Sequence, residues 1–192
     1  MLTENALTDV KTLRLQARQN IEQGAVTSSY SADRTEVLKL LNEALATELV
    51  CVLRYRRHHF MANGINAKSI ADEFMAHSIE EQLHADQLAS RIVQLGGEPD
   101  FSPDTLTQRS HAEYITGESL AEMIKEDLIA ERIAIDSYRE FIQYLGDKDS
   151  TTTHLLKSIL AVEEDHADEL AGLLADFSQS TGSAEPTSAN IL

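Results

Sequence analysis

Proline placement constrains this chain more than any other feature. Only Pro99, Pro103 and Pro186 occur among 192 residues, so four long stretches rich in Ala, Leu, Glu, Gln and Lys run free of proline. The spacing predicts a first long helix from Ala32-Asp33 to Asn63-Gly64 and a second from Asn66 to Leu95, closed by Gly96-Gly97. A third is expected from Ser119 to Leu145, with Gly146 after it, and a fourth from Asp149 or Ser150 to Phe177. A short amphipathic helix precedes them near 8–23, followed by the polar linker Val26 to Ser31. Tight turns join the first helix to the second and the third to the fourth, which makes each pair antiparallel neighbours. Gly96 to Glu118 is far longer than the roughly 2–8 residues that usually join bundle helices, and one crossover running the length of the bundle would use it. The expected fold is all-α: a four-helix bundle with one long crossover between the second and third helices, plus a short N-terminal helix. Residues 1–31 then form a helical extension and linker, 32–177 the bundle, and 178–192 a low-complexity polar tail expected to be disordered.

Composition narrows the function classes. Apolar residues at 42% and charged residues at 25% suit a globular core rather than wholesale disorder. The longest apolar run, Leu49 to Leu53, is too short to span a bilayer, and Met1-Leu2-Thr3-Glu4-Asn5 lacks the basic and apolar regions of a secretory signal. A lone cysteine, Cys51, excludes an intrachain disulfide framework and any multi-cysteine zinc or iron–sulfur site. A cytoplasmic protein with no membrane partner is expected. The formal charge of −16 works against nucleic-acid binding, which needs Lys and Arg to displace counterions. That charge suits both plain solubility and the concentration of cations near a surface.

Laying out the core stripe of each helix reveals residues that do not belong in an apolar interior. The first carries Leu38, Leu41, Leu45, Glu48, Val52 and Tyr55, so that Glu48 interrupts the stripe. On the second, Ile70, Phe74, His77, Glu81, His84, Leu88 and Leu95 place Glu81 and His84 at the centre. Glu131 intrudes among Ile124, Leu128, Ile135, Tyr138, Ile142 and Leu145 on the third. On the fourth, Glu163 and His166 fall among Leu156, Ile159, Leu170, Leu173 and Phe177. Four buried unpaired carboxylates would cost several kcal/mol each. Two divalent cations would neutralise them, with two imidazoles completing the set, and a carboxylate-rich site with one imidazole per metal suits iron or manganese over zinc or copper. One Glu-x-x-His is a weak signal, but two inward copies accompanied by an inward Glu on each remaining helix match a carboxylate di-metal bundle.

Spacing separates neighbouring acids. Three residues beyond Glu80 and Glu164 lie Leu83 and Ala167, so Glu81 and Glu163 are the chosen ligands. Asp127, one turn before Glu131, is either the acceptor for a ligand imidazole or a surface acid. Tyr55 and Tyr138, two turns beyond a ligand glutamate, either serve the site or pack in the core. His77 is either an accessory iron ligand or a core or interface histidine. The basic run Arg54 to His59 reads equally as a solvated face or a source of intersubunit salt bridges.

These stretches resemble the bacterioferritin branch of the ferritin-like superfamily. Leu41 to Val50 with Tyr55 resembles that family's first helix, Glu81-Gln82-Leu83-His84-Ala85-Asp86 its second, Asp127 to Glu131 its third and Glu163-Glu164-Asp165-His166 its fourth. The resemblance spans about residues 34 to 177. It implies a ferritin-like bundle in which Glu48, Glu81 and His84 hold one iron and Glu131, Glu163 and His166 the other, with Glu81 and Glu163 bridging. It further implies a homo-oligomeric iron-storage cage whose di-iron ferroxidase centre oxidises Fe(II) with O2 or H2O2. Gln82 stands where the family carries a haem-ligating methionine, which argues against haem, although Met75 lies two turns away on that face. The family's short fifth helix has no counterpart after Phe177, and an N-terminal helix is added; both features resemble the smaller Dps-type cages and favour a 12-mer slightly over a 24-mer. A rubrerythrin-like di-iron peroxidase without storage is the alternative, weakened by the missing rubredoxin-type cysteines. A DNA-protecting Dps-type protein is disfavoured because its metal sites lie between subunits. The basic residues Lys11, Arg14 and Arg18 sit on a helix better suited to docking than to gripping phosphate.

Overall fold

The computed structural model describes residues 7–64 and 67–182. Among the described residues every regular element is helical: α1 (Val10–Gln16), a single 3-10 turn (Ile21–Gln23), α2 (Arg34–Met61), α3 (Ala67–Gln94), α4 (Leu106–Arg109), α5 (Leu120–Leu145) and α6 (Ser150–Gly182). Local chemistry sets the ends of the long helices. Asp33 caps α2 by accepting from the backbone N–H of Thr35 and Glu36 at 3.0 and 3.3 Å. Ser119 caps α5 through Glu122 N–H, and Glu122 reaches back to Glu118 N–H at 2.8 Å. Gly146, with φ 53°, ends α5 in a left-handed conformation that L-residues adopt only with strain.

Helix α2 packs along α3, and α5 along α6; the two hairpins then meet through α2 with α5 and α3 with α6. The crossover lies along α2. Asp100 N–H donates to Asn42, His111 N–H to Thr47, and the Glu113 and Thr116 carbonyls accept from Arg54 and His58. The chain thus climbs past residues 42 to 58 of α2, about 24 Å at 1.5 Å per residue. This explains the length of the segment, which also forms the short helix α4 against α2. No helix of the described residues is long and apolar enough to cross a membrane.

Several boundaries differ from the sequence reading. The N-terminal helix covers only Val10–Gln16 rather than 8–23, because Asn20 at φ 50° and Gly24 at φ 57° interrupt the chain. None of its residues is buried, and Val10, Leu13 and Leu15 face solvent, so it does not dock on its own bundle. Helix α6 continues past Phe177 to Gly182, since no proline or glycine stops it in between. The tail expected to be disordered therefore begins in helix, and residues 183–192 lie outside the described residues, as does Asn66 at the expected start of the second helix.

The core is not continuous. One apolar cluster, including Leu41, Leu45, Leu88, Ile92, Phe141, Leu145 and Leu156, fills one end of the bundle. A second, including Ile70, Phe74, Met123, Ile124 and Leu170, fills the other. Between them lies a polar layer containing Glu48, Glu81, His84, Glu131, Glu163 and His166, each at most 5% exposed.

Two further buried polar networks clamp the ends. Arg91 donates to Asp149 at 2.8 Å and to Thr152, and Tyr30 from the linker donates to the same carboxylate at 2.9 Å. At the opposite end Arg54 donates to Asp127 at 2.8 Å while His58 holds the other carboxylate oxygen at 2.8 Å. Asp127 is therefore neither a surface acid nor the partner of a ligand imidazole: it is fully buried, and it neutralises Arg54. Arg54 and His58 likewise follow neither reading of that basic run, a solvated face or intersubunit salt bridges: they are buried and pin the crossover. Asp127→Ala is expected to cost about 3–5 kcal/mol by leaving a buried guanidinium unpaired. Urea unfolding measures this directly, and an Arg54→Met/Asp127→Leu pair should recover most of the loss.

Candidate metal centre

The polar layer is built from one central turn of each long helix. Glu48 comes from α2, Glu81 and His84 from α3, Glu131 from α5, and Glu163 and His166 from α6. Residues three apart on a helix share a face, so each Glu-x-x-His presents carboxylate and imidazole together. Ligand-type atoms of Glu48, Glu81, His84 and Glu163 lie within 4.8 Å of one another, as do those of Glu81, Glu131, Glu163 and His166. The two groups share Glu81 and Glu163. All six residues singled out from the sequence converge on this layer.

Hydrogen bonding within it is incomplete. Glu81 Oε1, both Glu163 oxygens and His166 Nδ1 are buried without a hydrogen bond. Such groups each forfeit their hydration, so something must offset the cost. His84 Nδ1 stands 3.0 Å from Glu163, 3.2 Å from Glu81 and 3.4 Å from Glu48, one nitrogen among three carboxylates. Without a cation the layer compensates with protons. Burial, and then the Glu81 charge, push the Glu48 carboxyl up to about 8. Glu131 is raised well above its ordinary value by burial and by the Glu81 and Glu163 charges. Burial works against a charged His166, yet Glu163 and Glu81 outweigh it and carry its pKa up to about 11. The same contest leaves His84 raised, with Glu163, Glu48 and Glu81 prevailing over burial. Glu81 stays below its ordinary value because the neighbouring Glu48, His166 and His84 together outweigh burial and the Glu163 charge.

Outer groups orient this set. The Tyr55 hydroxyl donates to Glu131 and the Tyr138 hydroxyl to Glu48. Both phenols are held protonated by burial and the facing carboxylates. The two tyrosines thus hydrogen-bond the layer as well as packing in the core. His166 Nε2 lies 2.6 Å from Glu80 Oε2, which turns Nδ1 towards the layer. The sequence reading had set Glu80 aside as a flanking acid. Its signal was the doubled Glu80-Glu81, which on a helix puts neighbouring carboxylates about 100° apart, one inward and one beside the next helix. On the outward face Gln82 donates to Asp86 at 3.0 Å.

The donor chemistry fits divalent cations: four carboxylates and two imidazoles, several with free lone pairs, enclosed between two apolar clusters. Such a bundle defines the carboxylate di-metal class of four-helix proteins. Residues 38–180 match the model of the ferritin-like domain. A bacterioferritin of Mycobacterium avium is 35% identical over 136 residues, covering 70% of this chain and 81% of that protein. Among solved structures, a bacterioferritin-related protein of Bacteroides fragilis, described as a dodecameric thioferritin, superposes with a TM-score of 0.76 at 28% identity. That match covers 80% of this chain and 93% of the other. The bacterioferritin of Mycobacterium tuberculosis superposes with a TM-score of 0.66 at 31% identity, covering 75% and 87%. The chain belongs to the bacterioferritin branch of the ferritin-like family.

Proposed function

We propose that this protein is the subunit of a homo-oligomeric iron-storage cage with ferroxidase activity, and that Glu48, Glu81, His84, Glu131, Glu163 and His166 are its metal ligands. One observation carries the reading: buried carboxylates from all four helices meet in two overlapping ligand groups, while Glu81 Oε1 and both Glu163 oxygens lack a hydrogen bond. Glu48, Glu81 and His84 would hold one iron, and Glu131, Glu163 and His166 the other. Glu81 and Glu163, common to both groups, would bridge. Iron is at once occupant and substrate: each Fe(II) yields one electron to O2 or H2O2, and the ferric product is stored as mineral.

The chain's own part is positioning and proton handling. Tyr138 and Tyr55 hold the outer carboxylates Glu48 and Glu131 by their hydroxyls. Glu80 accepts the His166 Nε2 proton, which leaves the Nδ1 lone pair facing the layer. On loading, the protons on Glu48, Glu131 and the imidazoles must leave, so metal affinity rises with pH. The flanking apolar clusters exclude bulk water from the layer. The cage is proposed to be haem-free, because Gln82 offers no thioether at the position where the family pattern places one. Twelve subunits are favoured over twenty-four, supported by the dodecameric description of the Bacteroides fragilis relative.

Aerobic Fe(II) loading of the metal-free protein, followed by desalting and an iron count, tests the whole reading. Iron far above two per chain is expected. Two per chain would leave a di-iron oxidase without storage, and none would overturn the metal centre.

A further inference from the structure

A second cluster of ligand-type side chains adjoins the buried layer on its solvent side. His77 on α3 lies one turn before Glu81 and is 1% exposed. Its Nε2 is 3.0 Å from Glu169 Oε2 on α6 and 3.6 Å from Glu73 Oε1, one turn earlier on α3. Ligand atoms of the three residues lie within 4.8 Å of one another. The two carboxylates are half-exposed, 40% and 54%, whereas the imidazole is not. The cluster thus opens outward through its acids and inward through its ring. That ring stacks on His166 at 4.0 Å between centroids, with 17° between planes. A His77 ring nitrogen also falls within the same reach of Glu131 and His166, so the two clusters are contiguous.

Donor accounting at His77 leaves a place for a metal ion or a proton. Tyr55 has one hydroxyl proton and gives it to Glu131, so its oxygen accepts from His77 Nδ1–H at 3.2 Å. In a neutral ring Nε2 then presents a lone pair to two carboxylates. Three electron-pair donors facing one another require either a proton or a metal ion among them. One imidazole with two carboxylates, leaving positions open to water, is a donor set for a divalent first-row ion.

We propose that Glu73, His77 and Glu169 form a third divalent-cation site, at the mouth of the buried layer, which captures Fe(II) from solvent and passes it inward beside His166. The site itself stands on these three residues; its feeding role rests on the di-metal reading above. Glu80, half-exposed and bonded to His166, lines the same passage. Four ligand-bearing residues along one short route, on a chain of formal charge −16, raise the local cation concentration at the entrance.

Anaerobic Co(II) soaks of crystals of the assembled protein, with anomalous scattering to locate the ions, test the site. Cobalt is expected between Glu73, His77 and Glu169 as well as in the layer. Glu163→Gln should disturb the inner ions and keep the outer one. A Glu73→Gln/Glu169→Gln pair, altering only half-exposed side chains, should lose the outer ion and keep the inner ones. In stopped-flow measurements at limiting Fe(II), that pair should oxidise iron about tenfold more slowly, at the low end of what a charged entrance contributes. Cobalt confined to the layer would overturn the third site and leave the di-metal reading standing. Cobalt in neither place would overturn both. An outer ion that persists in the double variant would overturn the ligand assignment, and its loss without any change in rate would overturn the feeding role.

Discussion

Glu163→Gln is expected to abolish aerobic Fe(II) oxidation and, at the same time, to raise the melting temperature of the metal-free protein. Both Glu163 oxygens are buried without a hydrogen bond, and the side chain is shared by both ligand groups. A carboxylate placed that way is retained at a cost to the fold, because several kcal/mol of lost hydration are only partly returned by His84 and His166. Glutamine keeps the shape and removes the charge. Its amide can also donate to Glu81 Oε1, which lacks a hydrogen bond. A gain of about 1–2 kcal/mol is expected, which amounts to a few degrees for a chain of this size. Calorimetry of the metal-free variant and an oxygen-uptake assay measure the two halves. Retained oxidation would remove Glu163 from the ligand set. A lower melting temperature would mean that His84 and His166 fully satisfy the native carboxylate.

The metal-free protein should lose stability steadily from pH 6.5 to pH 9, and metal loading should flatten that slope. Glu48 keeps its proton up to about 8 in the fold, against an ordinary value of 4.5. Between those two values the folded chain binds the extra proton, so stability falls as pH rises. His166, raised to about 11 from 6.5, works in the same direction: its contribution is complete below 6.5 and drains away as pH climbs towards 11. Glu131 and His84 are raised as well and add to the effect. Each extra proton held by the folded state is worth about 1.4 kcal/mol per pH unit. Bound Co(II) would replace these protons and add its own mass-action stabilisation. Melting curves with and without Co(II) across this range provide the measurement. A flat metal-free profile would show that the layer is not held together by protons.

Helix content and the position of the centre were legible in the sequence for one physical reason. A 3.6-residue period repeated over four long, proline-free segments assigns each residue to a face, and a charged group on an apolar face has few explanations. Glu48, Glu81, His84, Glu131, Glu163 and His166 stood out on that basis, and all six lie in the buried layer. Helix ends were less legible. Asn20 and Gly24 cut α1 short, and α6 ran five residues beyond Phe177, because a cap decides an end only in the backbone conformation it actually adopts.

Partnerships between segments distant in sequence needed the tertiary structure. Arg54 and Asp127 are 73 residues apart, and nothing periodic links them. Read singly, neither points to the other; only the packing of α2 against α5 buries both and makes one the other's neutraliser. Glu80 and His166 are 86 apart, and His77 and Glu169 are 92 apart. Whether an acid at the edge of a helix's buried face meets water or an imidazole depends on the rotation and axial offset of the opposing helix. Those are set by side-chain packing across the interface and not by periodicity within either segment. The sequence by itself determined that four helices would each turn a carboxylate inward, because burial patterns are local. The tertiary structure alone decided which outer residues hold those carboxylates and orient the imidazoles, because hydrogen-bond partners are chosen by distance in space.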